Sequence, residues 1–360
     1  MDEGRKMSAA VYKDGTIKVK TMPRPEPVNG ELLLQVEAAA LCATDIKIHR
    51  RGHRNIPSGS EAILGHEVVG RVAQIGSNVD PALLGKRMVV PPNVGCGLCP
   101  ACQAGMDSYC SDYRAYGVGM HGGLAEYMLV TAPSVTRGNL IEVPARVPTR
   151  IAVLAEAVSC CYRGLSDCGL KAGETVLIMG AGPMGILSVV VAWVMGASTV
   201  IVADPLEARR ANSFAFHADY ALDPTAGDFE KTLQQITGGW GVDVVLVTAP
   251  FVQAQQKGIA VAAVGGRVNL FAGLSPDDSF NDFPANLVHY RGLKVLGTTG
   301  TTAVEMNAVV QLMAGGKLDI LKEAITAIYP LADTGKALEE AGHGGGLKVM
   351  VVPDDNLLVE

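Results

Sequence analysis

The chain has 360 residues, a formal net charge of −6, 48% hydrophobic residues and 18% charged ones. That is an ordinary globular composition, long enough for two hydrophobic cores. The negative balance excludes a global basic field for nucleic acid. The charged opening MDEGRKMSAAVYKDG lacks the apolar centre of a secretion signal, so the cytoplasm is the expected compartment.

Residues 8–40 alternate apolar and polar side chains, broken by Pro23, Pro25, Pro27 and Asn29-Gly30. Short strands joined by turns are predicted there, and again over Val68–Ile75, Arg87–Val90 and Leu124–Val130. The first 150 residues therefore read as a β-rich, barrel-like domain. Within it, Cys42 and Thr44 stand in Leu41-Cys42-Ala43-Thr44-Asp45. Lys47, His49, Arg50, Arg51, His53 and Arg54 come soon after. That basic run reads either as a solvated loop or subunit contact, or as a pocket for a phosphate or carboxylate on a substrate. His66 and Glu67 stand in Leu64-Gly65-His66-Glu67.

The spacing Cys96-x2-Cys99-x2-Cys102-x7-Cys110 is a metal-binding pattern. Four thiolates so close in sequence can close a tetrahedron around one Zn²⁺, with no position left for water or substrate. Such a site staples a loop, here Pro91–Tyr113, that has little apolar content of its own. Eight cysteines in a chain without a signal peptide point to thiolates on metal rather than to disulfides.

Helical spacing is predicted for Ile151–Leu165, which contains Glu156, Cys160 and Cys161. Strands and helices then alternate, with strands at Val176–Met179, Thr199–Ala203, Val242–Thr248, Val268–Phe271 and Leu293–Gly297. This is the pattern of a doubly wound parallel sheet. The stretch from Val176 to Ala203 carries no charge, but the glycines and Pro183 within it cut it into strand and helix lengths rather than a membrane span. Gly180-Ala181-Gly182-Pro183-Met184-Gly185 between strand and helix, with Asp204 after the second strand, is the dinucleotide fingerprint. Gly180 allows the turn, Gly182 admits a pyrophosphate, and Gly185 lets helix and strand pack. The helix N-terminus at Pro183 and Met184 attracts phosphate. Asp204 would accept from ribose hydroxyls and repel a 2′-phosphate, which favours NAD over NADP. Arg209 is a candidate to lie over adenine or ribose. Asp319–Glu360 ends in a strand-like Leu347–Val352 and is expected to pack back on the first domain.

Spacing alone does not join Cys42, His66, Glu67 and Glu156. Taken singly, Cys42 reads as a core thiol and His66 as a satisfied histidine. The motif order does more. Cys-x-Thr-Asp, Gly-His-Glu, the four-cysteine spacing, a glutamate-bearing helix and GAGPMG together resemble the zinc-dependent medium-chain dehydrogenases of the alcohol dehydrogenase superfamily. The resemblance runs from Val11 to Val352 and is nearest to the sorbitol or polyol branch.

The resemblance implies an α/β protein with a GroES-like catalytic domain over 1–150, to which 301–360 return, and a Rossmann NAD-binding domain over 151–300. It implies an active site in the cleft between them and a homodimer or homotetramer. It implies two zinc ions per chain, a structural one on the four cysteines and a catalytic one on Cys42, His66 and Glu156, with Glu67 beside it as an occasional ligand. It also implies NAD as cofactor, Thr44 as the acceptor of the alcohol proton, and Asp45 as the residue that orients His66. Three positions depart from the pattern. Ala157 replaces the proline that usually succeeds the ligand glutamate, so Cys160 or Cys161 is a competing ligand. Lys47 and Ile48 replace a relay histidine and an aromatic residue. The expected reaction is hydride transfer between NAD and a secondary alcohol of a polyol, cyclitol or sugar derivative, free or phosphorylated. The alternatives are an L-threonine-type amino-alcohol dehydrogenase and a nucleotide-binding relative without catalysis.

Overall fold

The computed structural model describes residues 5–278 and 282–354. Its Cα packing divides the chain into two compact units, Met1–Ser159 with Gly300–Glu360, and Cys160–Thr299. The division at Ser159 falls inside the helix Ala155–Asp167, so one helix contributes to both units.

The first unit is built on a seven-stranded sheet. Its path runs Ile141–Glu142, Arg87–Val89, Glu67–Ile75, Leu32–Ala40, Lys348–Val352 and Ile325–Pro330, and Tyr127–Val130 pairs off the path with Leu32–Ala40. The strand LLLQVEAAA turns Leu32, Leu34 and Val36 into a core shared with Val68, Val72, Met128, Val349 and Val351. Irregular register at Leu33/Leu34 and Val36/Ala38 bends this strand, as extra residues in a ladder do. Past the second irregularity, Ala40 faces Glu67 on one side and Met350 on the other. This three-strand alignment gathers chemically reactive residues from three distant parts of the sequence. Cys42 lies two residues beyond Ala40, His66 one before Glu67, and Lys348 two before Met350.

The second unit is a six-stranded parallel sheet. Its order is Tyr220–Leu222, Thr199–Ala203, Thr175–Met179, Val242–Val247, Ala262–Asn269 and Lys294–Leu296. Every adjacent pair is parallel, and counted within the unit the order is that of the Rossmann fold, with its switch point between Thr175–Met179 and Val242–Val247. The strands read as apolar runs because helices cover both faces. The helix Pro183–Val194 buries Gly185 through Ala192, which accounts for the long uncharged stretch in the sequence. Among the described residues, no helix is long and apolar enough to cross a membrane.

Several sequence expectations change. The segment Ile151–Leu165 is two helices, Thr149–Ala152 and Ala155–Asp167. The strand placed at Val268–Phe271 begins at Ala262, where Gly265 and Gly266 hid its period. The edge strand Tyr220–Leu222 was not expected; its three residues are exposed or half-buried and form no apolar run. The basic run after Cys42 is not a loop at its start but the helix Ala43–Arg51. Asp45 lies in its first turn, His49, Arg50 and Arg51 in its last, and Gly52 closes it at φ 70°. This charge order follows the helix dipole.

Candidate active site

Cys42 caps the N-terminus of the helix Ala43–Arg51. The fully buried Asp45 organises this end. Its Oδ2 accepts from the Cys42 N–H at 2.9 Å and its Oδ1 accepts from the Gly65 N–H at 3.0 Å. The same carboxylate faces His66 Nδ1 at 3.7 Å, beyond hydrogen-bond range. One buried acid thus ties the segment carrying Cys42 to the segment carrying His66. Burial alone would raise the Asp45 pKa, but the His66 charge and the backbone N–H groups outweigh it and hold the carboxyl below its usual range. His66 shows the reverse balance. Burial lowers its pKa, and the anionic Asp45 and Cys42 raise it well above the ordinary value.

Ligand-type atoms of Cys42, His66 and Glu67 lie within 4.8 Å of one another. His66 Nδ1 and Glu67 Oε2 are buried without a hydrogen-bond partner. An uncompensated buried polar atom costs about 1–3 kcal/mol; a cation beside Glu67 Oε2 would remove that cost, while His66 Nδ1 is turned toward the Asp45 carboxylate. A soft thiolate with an imidazole and a carboxylate is a donor set that suits zinc, so these residues fit the metal the sequence implied.

Glu67 is fully buried, and its Oε1 accepts from Lys348 Nζ at 2.5 Å. Burial pushes its carboxyl up to about 7, with Lys348 opposing and the neighbouring Glu156 reinforcing. Glu156 is buried in the first turn of Ala155–Asp167. It stands close enough to act on Glu67 and Lys348 but outside the 4.8 Å group. Cys161 Sγ points to Met184 O at 3.5 Å, within the second unit. Thr44 Oγ1 lies 3.9 Å from Cys42 Sγ.

The helix carries the basic residues away from this group. At 1.5 Å per residue, Arg51 is about 12–14 Å from Cys42. Arg50 Nη2 donates to Gly342 O at 3.2 Å, and Lys47 is exposed. His49, Arg50 and Arg51 line a separate surface pocket of about 360 Å³ with Tyr12 and Asp14. Helical rise thus separates His49, Arg50 and Arg51 from the thiol along the helix axis and places them on this surface pocket.

The four cysteines form a second group, with Sγ atoms again within 4.8 Å of one another. The Cys99–Cys102 and Cys96–Cys102 separations are 3.5 and 4.0 Å. Tetrahedral Zn–S bonds of about 2.3 Å require roughly 3.8 Å between sulfurs. Cys96 Sγ accepts from the N–H groups of Leu98 and Cys99, which push its thiol down to about 6. Burial pushes Cys102 up to about 12. Arg137 braces the loop by donating to the carbonyls of Gly95 and Cys96. Asn93 anchors it through Tyr113, Asn139 and Thr301.

In the second unit, Gly180 has φ 110°, and a Cβ there would meet Thr248 and Ala249 at about 3 Å. A Cβ on Gly185 would lie 1.8 Å from Gly180 O, whereas one on Gly182 would meet nothing within 4 Å. Gly182 is the N-cap of Pro183–Val194, and that helix's first bond runs from Ile186 N–H to Gly182 O. The loop is thus closed toward the sheet and open in front of the helix N-terminus, as a pyrophosphate requires. Asp204 is buried, with Oδ2 accepting from Ala181 N–H at 2.8 Å and Oδ1 from Leu206 N–H at 2.9 Å. Each oxygen keeps a further lone pair for a ribose hydroxyl. Arg209 Nη1 lies 3.9 Å from Asp204 Oδ2. Arg210, which the sequence did not single out, donates to the carbonyls of Asp204 and Pro205.

Sequence reasoning also missed Lys348, Arg137 and Asn93. Only Lys348 left a signal, as a charge opening the apolar run Lys348–Val352.

A barrel-type unit with a thiolate–imidazole–carboxylate group, joined in one chain to a Rossmann unit, defines a nucleotide-dependent oxidoreductase class. Residues 28–142 match the alcohol dehydrogenase GroES-like domain, and residues 183–315 match the zinc-binding dehydrogenase domain. An L-threonine 3-dehydrogenase of Pyrococcus furiosus is 35% identical over 298 residues, covering 82% of this chain and 83% of the relative. A sorbitol dehydrogenase of Bacillus subtilis is 30% identical over 360 residues, covering 96% and 97%. A solved structure from Sinorhizobium meliloti 1021, described as a zinc-binding dehydrogenase bound to NADP, superposes with a TM-score of 0.87 at 32% identity, covering 97% of this chain and 100% of that one. The chain belongs to the zinc-dependent medium-chain dehydrogenases of the alcohol dehydrogenase superfamily, and it is a dehydrogenase.

Proposed function

We propose that this enzyme transfers hydride between NAD and a secondary alcohol of a polyol, cyclitol or sugar derivative, with a catalytic zinc at Cys42, His66 and Glu156. The observation that carries this reading is the buried Cys42–His66–Glu67 group with the unpartnered Glu67 Oε2 among its ligand-type atoms. When bound, the two groups supply a Lewis acid that lowers the pKa of a coordinated hydroxyl, as zinc brings that of water to about 7, and a hydride acceptor.

The chain's own residues do the rest. Asp45 fixes the His66 ring, so one nitrogen faces Asp45 and the other is left for the metal. Thr44 Oγ1, close to Cys42 Sγ, accepts the substrate hydroxyl's proton and passes it toward solvent. Glu156 is the third ligand, and Glu67 stands beside the metal with one oxygen on Lys348. Cys96, Cys99, Cys102 and Cys110 hold a second, closed zinc that fixes their loop. Gly180, Gly182, Pro183, Met184 and Gly185 receive the pyrophosphate, Asp204 receives the adenosine ribose, and Arg209 covers that end. The domain assignment, 1–150 with 301–360 as catalytic and 151–300 as cofactor-binding, belongs to the same reading. So do a homodimer or homotetramer and the cytoplasm, where thiolate ligands stay reduced.

A second reading, oxidation of an L-threonine-type amino alcohol, is favoured by the Pyrococcus furiosus relative. One assay separates the two. NADH or NADPH appearance is followed with free polyols, polyol phosphates, cyclitols, aminocyclitols and L-threonine, with Cys42→Ser as control. NAD-linked turnover of a polyol or cyclitol, lost in Cys42→Ser, is the expected result. Turnover confined to L-threonine selects the second reading, and turnover that survives Cys42→Ser contradicts both.

A further inference from the structure

The pocket of about 360 Å³ lined by His49, Arg50 and Arg51 is shaped by three segments of the first unit. They are the end of the helix Ala43–Arg51, the turn after the strand Lys6–Lys13, and residues 56–58. Its volume lies at the small end of the roughly 300–1,000 Å³ of ligand pockets. Cys42, Thr44, His66, Glu67 and Glu156 are not among its lining residues.

The wall of this pocket is fixed by specific contacts. Asp14 sits at φ 45°, a conformation that few residues other than glycine adopt. Its Oδ1 accepts from Ser58 Oγ at 3.1 Å and from the Gly59 N–H at 3.0 Å, which ties the turn to the facing loop. Tyr12 lines the pocket although it is only 3% exposed. Its hydroxyl has no hydrogen-bond partner among the described residues. That hydroxyl lies 3.8 Å from where a Cβ on Gly52 would stand, and Gly52 is itself a lining residue. Buried phenols usually find a partner, so this one is short of an acceptor that a bound molecule could supply. Arg51 has no ion pair or hydrogen bond among the described residues, and Arg50 uses one N–H on Gly342 O. The two guanidinium groups more than offset Asp14 and the roughly half negative charge at the helix C-terminus.

We propose that this pocket binds the phosphoryl group of a small molecule, at a site apart from the candidate metal group. Two guanidinium groups on a helix and a hydroxyl on a strand bring donors from two directions. A tetrahedral phosphoryl group presents three acceptor oxygens and can meet both at once. Arginine matches its geometry two N–H groups at a time. The buried Tyr12 hydroxyl is the fixed donor, and the two arginines supply the charge. A run of solvated arginines alone would attract anions without involving Tyr12.

The test is isothermal titration calorimetry on full-length, zinc-loaded protein at low ionic strength, with saturating NADH to occupy the Gly180–Gly185 loop. Inorganic phosphate and glycerol 3-phosphate are titrated side by side. Tighter binding of the ester assigns the pocket to a phosphorylated metabolite, and tighter binding of the free ion assigns it to phosphate itself; either supports the proposal. Tyr12→Phe removes one oxygen and is expected to weaken binding by about tenfold or more, as loss of a hydrogen bond to a charged group does. Arg51→Gln is expected to weaken it at least as much. Both variants should keep the wild-type melting temperature, since neither side chain has a polar partner to lose. Cys42→Ser is expected to bind phosphate as wild type does. Wild-type affinity in Tyr12→Phe would overturn the proposal, as would wild-type protein that binds neither probe or binds only when NADH is absent. Binding lost in Cys42→Ser would place the anion on the metal group and overturn it too.

Discussion

The four cysteines at 96–110 and the Cys42–His66–Glu67 group both bring ligand-type atoms within 4.8 Å, yet they are assembled by opposite means. The cysteines lie within one loop. The helix Pro100–Gln103 and short N–H···S contacts from Leu98 and Cys99 shape it. The second group is assembled by sheet register, because Ala40, Glu67 and Met350 lie side by side. The first group uses four like donors, which together fill a tetrahedron. The second mixes a thiol, an imidazole and a carboxylate. A local cluster suits a staple, and a dispersed one suits chemistry, since its ligands arrive on rigid strands and a capped helix.

The comparison can be broken in graded steps. The largest effect is expected at Cys42. Loss of a metal worth several kcal/mol in the transition state lowers kcat/KM by at least about a thousandfold, while the melting temperature of Cys42→Ser stays near wild type. A stability loss matching the activity loss would mean the two groups are not separable. Asp45→Asn comes next. It removes the charge that faces His66 and weakens metal affinity at this group by about 10–100-fold, measured by competition with a chelator, without releasing metal from the cysteines.

Gly185→Ala tests the cofactor loop independently of either group. Its Cβ would collide with Gly180 O, at about 1–3 kcal/mol. A weaker fluorescence titration with NADH at unchanged metal content is expected. Arg137→Ala loosens only the cysteine loop, by about 1–3 kcal/mol for the lost charged hydrogen bonds. Faster chelator stripping of one metal, with unchanged KM, is the expected signature. The smallest effect is one of order. In metal-stripped protein near neutral pH, Cys96, pushed down to about 6, is above its pKa and largely thiolate. Cys168, pushed up to about 12 by burial, stays protonated. Peptide mapping after brief alkylation should find Cys96 labelled and Cys168 unlabelled.

The sequence made these regions legible to different depths. The cysteine cluster and the Gly180–Asp204 fingerprint could be read from spacing, because their geometry is local. The parallel sheet could be read from alternating apolar runs, apart from the edge strand Tyr220–Leu222. The Cys42 group could not be read from spacing, since no periodicity joins residue 42 to 67 or 348; only motif order linked its parts. Lys348 stayed hidden because its role depends on register across three strands. The basic residues after Cys42 left two readings open for a related reason. The run spans the helix Ala43–Arg51, so residues adjacent in sequence, from Asp45 in its first turn to Arg51 in its last, are spread along its axis. Arg137 and Asn93 carry no motif at all, and their value lies in carbonyls that only the folded loop presents.

The most direct test of this account is a metal count on purified wild type, Cys42→Ser and Cys99→Ser, paired with the NADH assay. The account predicts two zinc ions in wild type and one in Cys42→Ser, which is folded but inactive. Cys99→Ser should also lose one, with its instability confined to the loop around 96–110. A Cys42→Ser protein that kept both ions and still turned over substrate would contradict it.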